Sequence, residues 1–216
     1  MIEERTGDVF VVTGARGATA AADHKFLAEA VGRVLGIGSE SVVIERRCGR
    51  CGGEHGRPIL AVPAGGAERP HVSLSRAGDT VAVAVTFAGP VGIDIESIRA
   101  VSRAPLDAVA FGPAERAALP VAAGPGADRA RASLWTSKEA VLKAAGVGLR
   151  IDPSELTVSV PGRDDGAQPT LDAWPGAPFP VGRMRLVRLD PGPGLVGTVA
   201  VLSGAVPITV REVRLT

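Results

Sequence analysis

The sequence predicts an α+β fold of two related halves, residues 1–98 and 99–216, each an antiparallel sheet packed on one long helix, with a site at their interface. Three observations carry this. Residues 20–35 and 130–145 have apolar side chains at helical spacing, whereas shorter segments around them alternate at strand spacing. Two strand pairs flank turn-forming residues: 71–74 and 80–87 around Ala77-Gly78-Asp79, and 181–189 and 197–202 around Pro191-Gly192-Pro193-Gly194. A short internal echo links the halves. Glu29-Ala30-Val31 returns as Glu139-Ala140-Val141 and Gly36-Ile37-Gly38 as Gly146-Val147-Gly148, both at an offset of 110, and Ser39-Glu40 returns slightly later as Ser154-Glu155.

In chain order, 8–13 reads as a strand. The helix at 20–35 sets Phe26, Leu27, Ala30, Val31 and Val34 on one face and stops at Gly36. A strand at 41–46 precedes a Cys/Gly-rich loop at 48–58. After the first hairpin, Gly89-Pro90 turns the chain into a strand at 91–96. Gly112-Pro113-Ala114-Glu115 opens a helix that ends near Leu119, and 120–127 is a Pro/Gly/Ala loop. Gly146-Val147-Gly148 stops the second long helix. A strand at 156–160, a flexible Pro/Gly-rich loop at 161–180, the second hairpin and a terminal strand or tail at 208–215 complete the chain.

At 216 residues, 45% hydrophobic and 22% charged, the composition is that of a globular protein with room for a substantial core. A net charge of +1 gives no global attraction to nucleic acid or an anionic membrane; neither partner is expected, and any polyanion site is local. The N-terminus lacks a hydrophobic signal core. The longest apolar stretch, 81–95, is broken by Gly89-Pro90 and carries Asp94, so a cytoplasmic location is expected. Cys48, Cys51 and His55 are zinc-ligand types without an evident fourth partner, and Gly52-Gly53 does not suit a redox helix. A reduced, glycine-rich turn is the favoured reading.

The chemistry concentrates in two motifs. In Val91-Gly92-Ile93-Asp94-Ile95-Glu96, strand alternation puts both acids on one face and both isoleucines on the other. Carboxylates about 7 Å apart along a strand repel unless a cation lies between them. In Trp135-Thr136-Ser137-Lys138-Glu139, followed by Lys143, helical spacing puts Trp135, Glu139 and Lys143 on one face. Hard acids beside a lysine suit a magnesium-bound phosphate. Taken singly, Asp94 and Glu96 could be a solvated strand face. Glu139 and Lys143 alone could be a surface pair worth about 0.3–0.5 kcal/mol.

Together the motifs resemble the paired signatures of the 4′-phosphopantetheinyl transferases, and the length resembles the larger, monomeric class that serves peptide and polyketide synthases. Gly56-Arg57-Pro58, His71-Val72-Ser73-Leu74-Ser75-Arg76 and Phe111-Gly112-Pro113-Ala114-Glu115 are similar to further family segments, with Arg76 where the family usually has histidine. The resemblance implies that a carrier-protein serine attacks the β-phosphate of coenzyme A and that 3′,5′-ADP leaves. It implies Asp94, Glu96 and Glu139 as ligands of Mg2+, with Mn2+ as the alternative, and Glu139 as base. Lys143, and less directly Lys138, would meet the pyrophosphate. Arg57, Ser75 and Arg76 would hold the 3′-phosphate, and Lys25 would lie near the adenine in the N-terminal half. The implied partners are coenzyme A and an apo acyl or peptidyl carrier protein; residues 106–127, with a helix and a loop, are the expected contact for the carrier. Two alternatives stay open: a non-catalytic coenzyme A or carrier-binding module, and a metal-dependent pyrophosphohydrolase.

Overall fold

Alternating burial along the strands builds two larger sheets that meet through apolar faces, and two further sheets have two strands each. The computed structural model describes residues 7–46, 53, 58–61, 68–162, 166–204 and 206–215. Strand β1 (Asp8–Ala15) leads into α1 (Ala20–Leu35), β2 (Ile44–Arg46), β3 (Pro58–Leu60), β4 (His71–Ala77) and β5 (Thr80–Thr86). Then come β6 (Val91–Ser97), the short helices α2 (Ile98–Val101), α3 (Leu106–Val109) and α4 (Pro113–Ala118), and the long α5 (Pro125–Ala144). The chain finishes with β7 (Thr157–Ser159), β8 (Thr170–Ala173), β9 (Met184–Leu189), β10 (Leu195–Leu202) and β11 (Thr209–Arg214). The result is a mixed α+β architecture.

The first sheet has the order β11-β1-β5-β4 and the second β6-β10-β9. Both are antiparallel, through the hairpins β4–β5 and β9–β10 and the long-range pairs β1–β5 and β6–β10, apart from β11, which lies parallel to β1. Val9, Val11, Ala82 and Ala84 from one sheet pack with Val91, Ile93, Ile95, Val199 and Val201 from the other. Leu27, Ala30, Val31 and Val34 of α1 cover the far side of the first sheet. Leu134, Val141 and Leu142 of α5 enter a core with Phe111, Leu156, Trp174 and Leu186.

The two long helices end alike. Gly36 and Gly146 both adopt φ 72°, the left-handed conformation that glycine enters without steric penalty. Beyond them the Ile37 N–H reaches the Gly32 carbonyl at 3.0 Å, and the Val147 N–H reaches the Leu142 carbonyl at 3.1 Å. These are the echoed Gly-x-Gly segments, and each leads through a 3₁₀ turn carrying the echoed Ser-Glu into a short strand.

Several boundaries differ from the sequence reading. Helix α5 starts at Pro125, inside the expected 120–127 loop, because proline suits the first helical turn. Strand β8 lies within the expected 161–180 loop, and β11 resolves the terminal segment as a strand. Residues 181–183 form a 3₁₀ turn before β9, and 39–41 another before β2. Helices α2 and α3 are additional, and β3 pairs with β2. Cys48, Cys51 and His55 lie outside the described residues. Among the described residues no helix is long and apolar enough to cross a membrane.

Candidate active site

Strand β6 is the edge of its sheet, and its outer edge meets β4. Ile93 and Ile95 are fully buried between the sheets, so alternation sends Asp94 and Glu96 toward the opposite side. Helix α5 comes unusually close there because residue 92 is glycine. A Cβ at Gly92 would collide with the Ala140 carbonyl and the Ala144 amide of α5. That approach brings the Glu139 and Lys143 face of the helix to the acids of the strand.

Asp94, 3% exposed, is the centre of the contacts. Its Oδ1 accepts from Lys143 Nζ at 2.6 Å and from the Ser75 hydroxyl at 2.9 Å. Lys143 also donates to the Ile93 carbonyl at 3.2 Å. The Trp135 indole N–H donates to Glu96. Two carboxylate oxygens of this group, Oδ2 of Asp94 and Oε1 of Glu139, are buried without a partner; among the described residues the same holds for Oδ1 of Asp23 and the indole nitrogen of Trp174, away from these acids. A buried, unsatisfied acceptor is expensive, and here two belong to neighbouring acids.

The titration behaviour agrees. Burial pushes the Glu139 carboxyl up to about 7, helped by the negative charges of Asp94 and Glu96 and opposed by Lys143. Burial, then the Asp94 charge, raises Glu96. Burial raises Asp94 as well, against the pull of Lys143 and of its hydrogen bonds. The three acids therefore feel one another through a poorly solvated space. Among the described residues no group of three or more His, Cys, Asp or Glu side chains is arranged to hold a metal ion by itself. The unpartnered oxygens are nonetheless hard donors of the kind Mg2+ takes. The donor chemistry fits a divalent ion that completes its shell with phosphate oxygens and water.

Asp94, Glu96, Glu139 and Lys143 thus come together, and Ser75 joins them. Other expected residues do not. Lys138 is corrected outright: its Nζ is fully buried, pairs with Glu115 at 2.5 Å and donates to the carbonyls of Ala110, Pro153 and Leu156 at 2.8 Å each. It is saturated by the protein and locks α5 to α4 and to the 153–156 turn. Ser75 and Arg76, grouped as one phosphate clamp, face opposite sides of β4 because they are adjacent on a strand. Ser75 turns to Asp94, whereas Arg76 pairs with the buried Asp23 of α1 at 2.7 Å. Lys25 is highly exposed and 3.7 Å from Glu29. Arg57 lies outside the described residues.

Sequence reasoning quoted Ser73 and Glu115 within longer segments without giving either a role, and did not single out Asp23 or Thr198. Ser73 and Ser75 repeat the i,i+2 spacing of Asp94 and Glu96, a signal that was available. Thr198 faces Asp94 across the β6–β10 ladder, and Thr136 and Ser137 of α5 bond to its hydroxyl at 3.3 and 3.1 Å. Two cavities lie elsewhere, neither of them lined by the three acids. One of about 290 Å³ is bordered by Glu115, Leu134 and Val158. One of about 530 Å³ is bordered by Arg129, Ser133, Arg188 and Glu212.

Residues 90–177, which contain both acidic motifs, match the family model of the 4′-phosphopantetheinyl transferase superfamily, and this supports a transferase. No curated protein matches the chain.

Proposed function

We propose that this chain moves the 4′-phosphopantetheine arm of coenzyme A onto a serine of an acyl or peptidyl carrier protein and releases 3′,5′-ADP. The observation that carries the proposal is the pair of buried, unpartnered oxygens on Asp94 and Glu139 beside the Lys143 ammonium, within the segment covered by the family match. Asp94, Glu96 and Glu139 would hold Mg2+ or Mn2+, which when bound supplies positive charge to phosphate oxygens as their charge grows in the transition state.

The chain's own residues do the rest. Glu139, with a carboxyl poised near neutrality, is the base for the carrier serine. As it takes the proton, the serine Oγ bonds to the β-phosphorus. The bridging P–O bond breaks, and 3′,5′-ADP leaves with the bonding pair. Lys143, now on Asp94, is within reach of a pyrophosphate placed against the acids and neutralises part of its charge. Arg57, Lys25 and the unused donors of Arg76 serve the nucleotide end, with Ser75 at its border.

The matching helix ends support a reading of two related halves joined near residues 97–105, with coenzyme A across the junction; each half lends a strand to the other's sheet, β6 to β10 and β11 to β1. The carrier would dock beside residues 106–127 of a monomer. The test is mass spectrometry of apo carriers after incubation with the chain, coenzyme A and Mg2+. A phosphopantetheine mass gain is expected. No gain on fatty-acid, polyketide and peptide carriers alike overturns the proposal.

A further inference from the structure

Strands β4 and β6 belong to different sheets, and side chains of β4 close the free edge of β6. The Ile93 N–H donates to the Ser73 hydroxyl at 3.1 Å, and the Ile95 N–H donates to the Ser75 hydroxyl at 3.2 Å. The two serines are alike in burial and in this bond. They differ in what lies beyond it: the Ser75 hydroxyl donates onward to Asp94 Oδ1 at 2.9 Å and accepts a long contact from Lys143 Nζ at 3.5 Å. A hydroxyl has one proton, and the backbone N–H occupies an acceptor site of the same oxygen, which aims that proton at Asp94. Lys143 adds a second donor to Oδ1, while Oδ2 has none. Turning the carboxylate over would exchange the two oxygens, and the donors on Oδ1 oppose that.

We propose that Ser75 is a positioning residue that locks the Asp94 carboxylate so that Oδ2 is the oxygen presented to the cation. This deepens the reading of the site given above and rests on it. The lock matters most during turnover. When Lys143 turns its N–H donors to a bound pyrophosphate, the Ser75 hydroxyl stays on Oδ1, because the Ile95 amide holds its oxygen in place. Ser75 thereby acts through Asp94 rather than on the nucleotide.

Ser73 is the built-in control, since it makes the same strand contact without touching an acid. The experiment uses the full chain as Ser75→Ala, Ser75→Cys and Ser73→Ala. Mn2+ binding in the presence of coenzyme A is measured by calorimetry, and exchange of the Ile93 and Ile95 amides by NMR. Ser75→Ala is expected to speed exchange at Ile95 and to weaken Mn2+ binding about ten-fold, as loss of a ligand-orienting hydrogen bond does. Ser75→Cys, which keeps a weak donor of similar size, is expected to fall between. Ser73→Ala is expected to speed exchange at Ile93 and to leave Mn2+ affinity within about two-fold. Equal losses for the two serines, or an opened Ile95 amide with unchanged Mn2+ affinity, overturn the assignment. If Ser75→Ala does not fold, Ser75→Cys against Ser73→Ala decides by the same criterion. Absence of Mn2+ binding by the unaltered chain overturns the reading of the whole site. That outcome is distinct from firm binding indifferent to Ser75.

Discussion

Replacing Glu139 with glutamine is expected to stabilise the ligand-free chain at pH 8 while abolishing transfer. In the folded chain, burial and the charges of Asp94 and Glu96 keep the Glu139 carboxyl protonated up to about 7, against an ordinary value of 4.5. Between those values the folded state binds more protons than the unfolded state. Stability therefore falls as pH rises through the window, and the penalty is complete above about 7. A shift of that size corresponds to roughly 3 kcal/mol. The carboxyl is only partly buried, so solvent screening leaves about 1–2 kcal/mol. Glutamine keeps the shape and removes the charge. For a chain of this length the melting temperature should rise by about 2–8 °C at pH 8.

At pH 4.5 and below, both folded and unfolded chains carry the protonated acid and the gain should vanish. Because Asp94 and Glu96 titrate with Glu139 as a coupled set, the loss should be spread over the window rather than stepped. The assay is thermal unfolding of both chains across pH in the presence of a chelator, paired with the carrier mass assay. Transfer should fall about 10²–10⁴-fold once the base is gone. A variant less stable than the unaltered chain at pH 8, or equally stabilised at pH 4.5, refutes the electrostatic argument. A stabilised variant with undiminished transfer refutes the role as base.

Three further outcomes follow from the contacts. Lys138→Met leaves Glu115 buried without its ammonium and should cost about 3–5 kcal/mol in denaturant unfolding. Unchanged stability with weakened coenzyme A binding would return Lys138 to the phosphate. Lys143→Met should weaken coenzyme A binding about 10–100-fold by calorimetry, as loss of a charge-assisted contact does; unaltered affinity would separate Lys143 from the pyrophosphate. Gly92→Ala should cost about 1–3 kcal/mol by forcing α5 off β6, and transfer should drop with it. Full stability and activity in that variant would mean that the helix yields freely.

The parts of the site that the sequence showed plainly were those set by local periodicity. Asp94 and Glu96 share a face because a strand repeats every two residues, and Trp135, Glu139 and Lys143 because a helix returns every three to four. Lys138 sits beside Glu139 in sequence, but adjacent helical residues do not share a face. Its partner Glu115 belongs to another helix, and the carbonyls it meets come from separate turns, so only tertiary structure could reveal its role. Ser75 and Arg76 are neighbours on a strand, so alternation sends one to Asp94 and the other to Asp23. Helices α2 and α3 and strand β8, of four residues each, are too short to show a period. The start of α5 was hidden because Pro125-Gly126 has the composition of a loop while proline is also at home in a first helical turn.

What makes three crowded acids tolerable is the rigidity of their surroundings. Helix α5 is fastened at one side by the buried Lys138–Glu115 pair, which is itself bonded to the Gly112 and Val158 amides through Glu115. On β10, Thr198 takes hydroxyl contacts from Thr136 and Ser137 and is the cross-strand neighbour of Asp94. Gly92 lets the helix backbone sit directly on β6. None of these groups carries charge into the site, yet together they deny Glu139 and Asp94 the movement that would let both escape into water. An unconstrained helix would relieve the repulsion by turning or sliding. Held in place, the acids keep raised protonation and two unsatisfied oxygens, which under the proposed function a cation arriving with phosphate would relieve. On this argument the folded chain retains a local instability that ligand binding removes, so loosening the fastenings should weaken metal binding even where every carboxylate is intact.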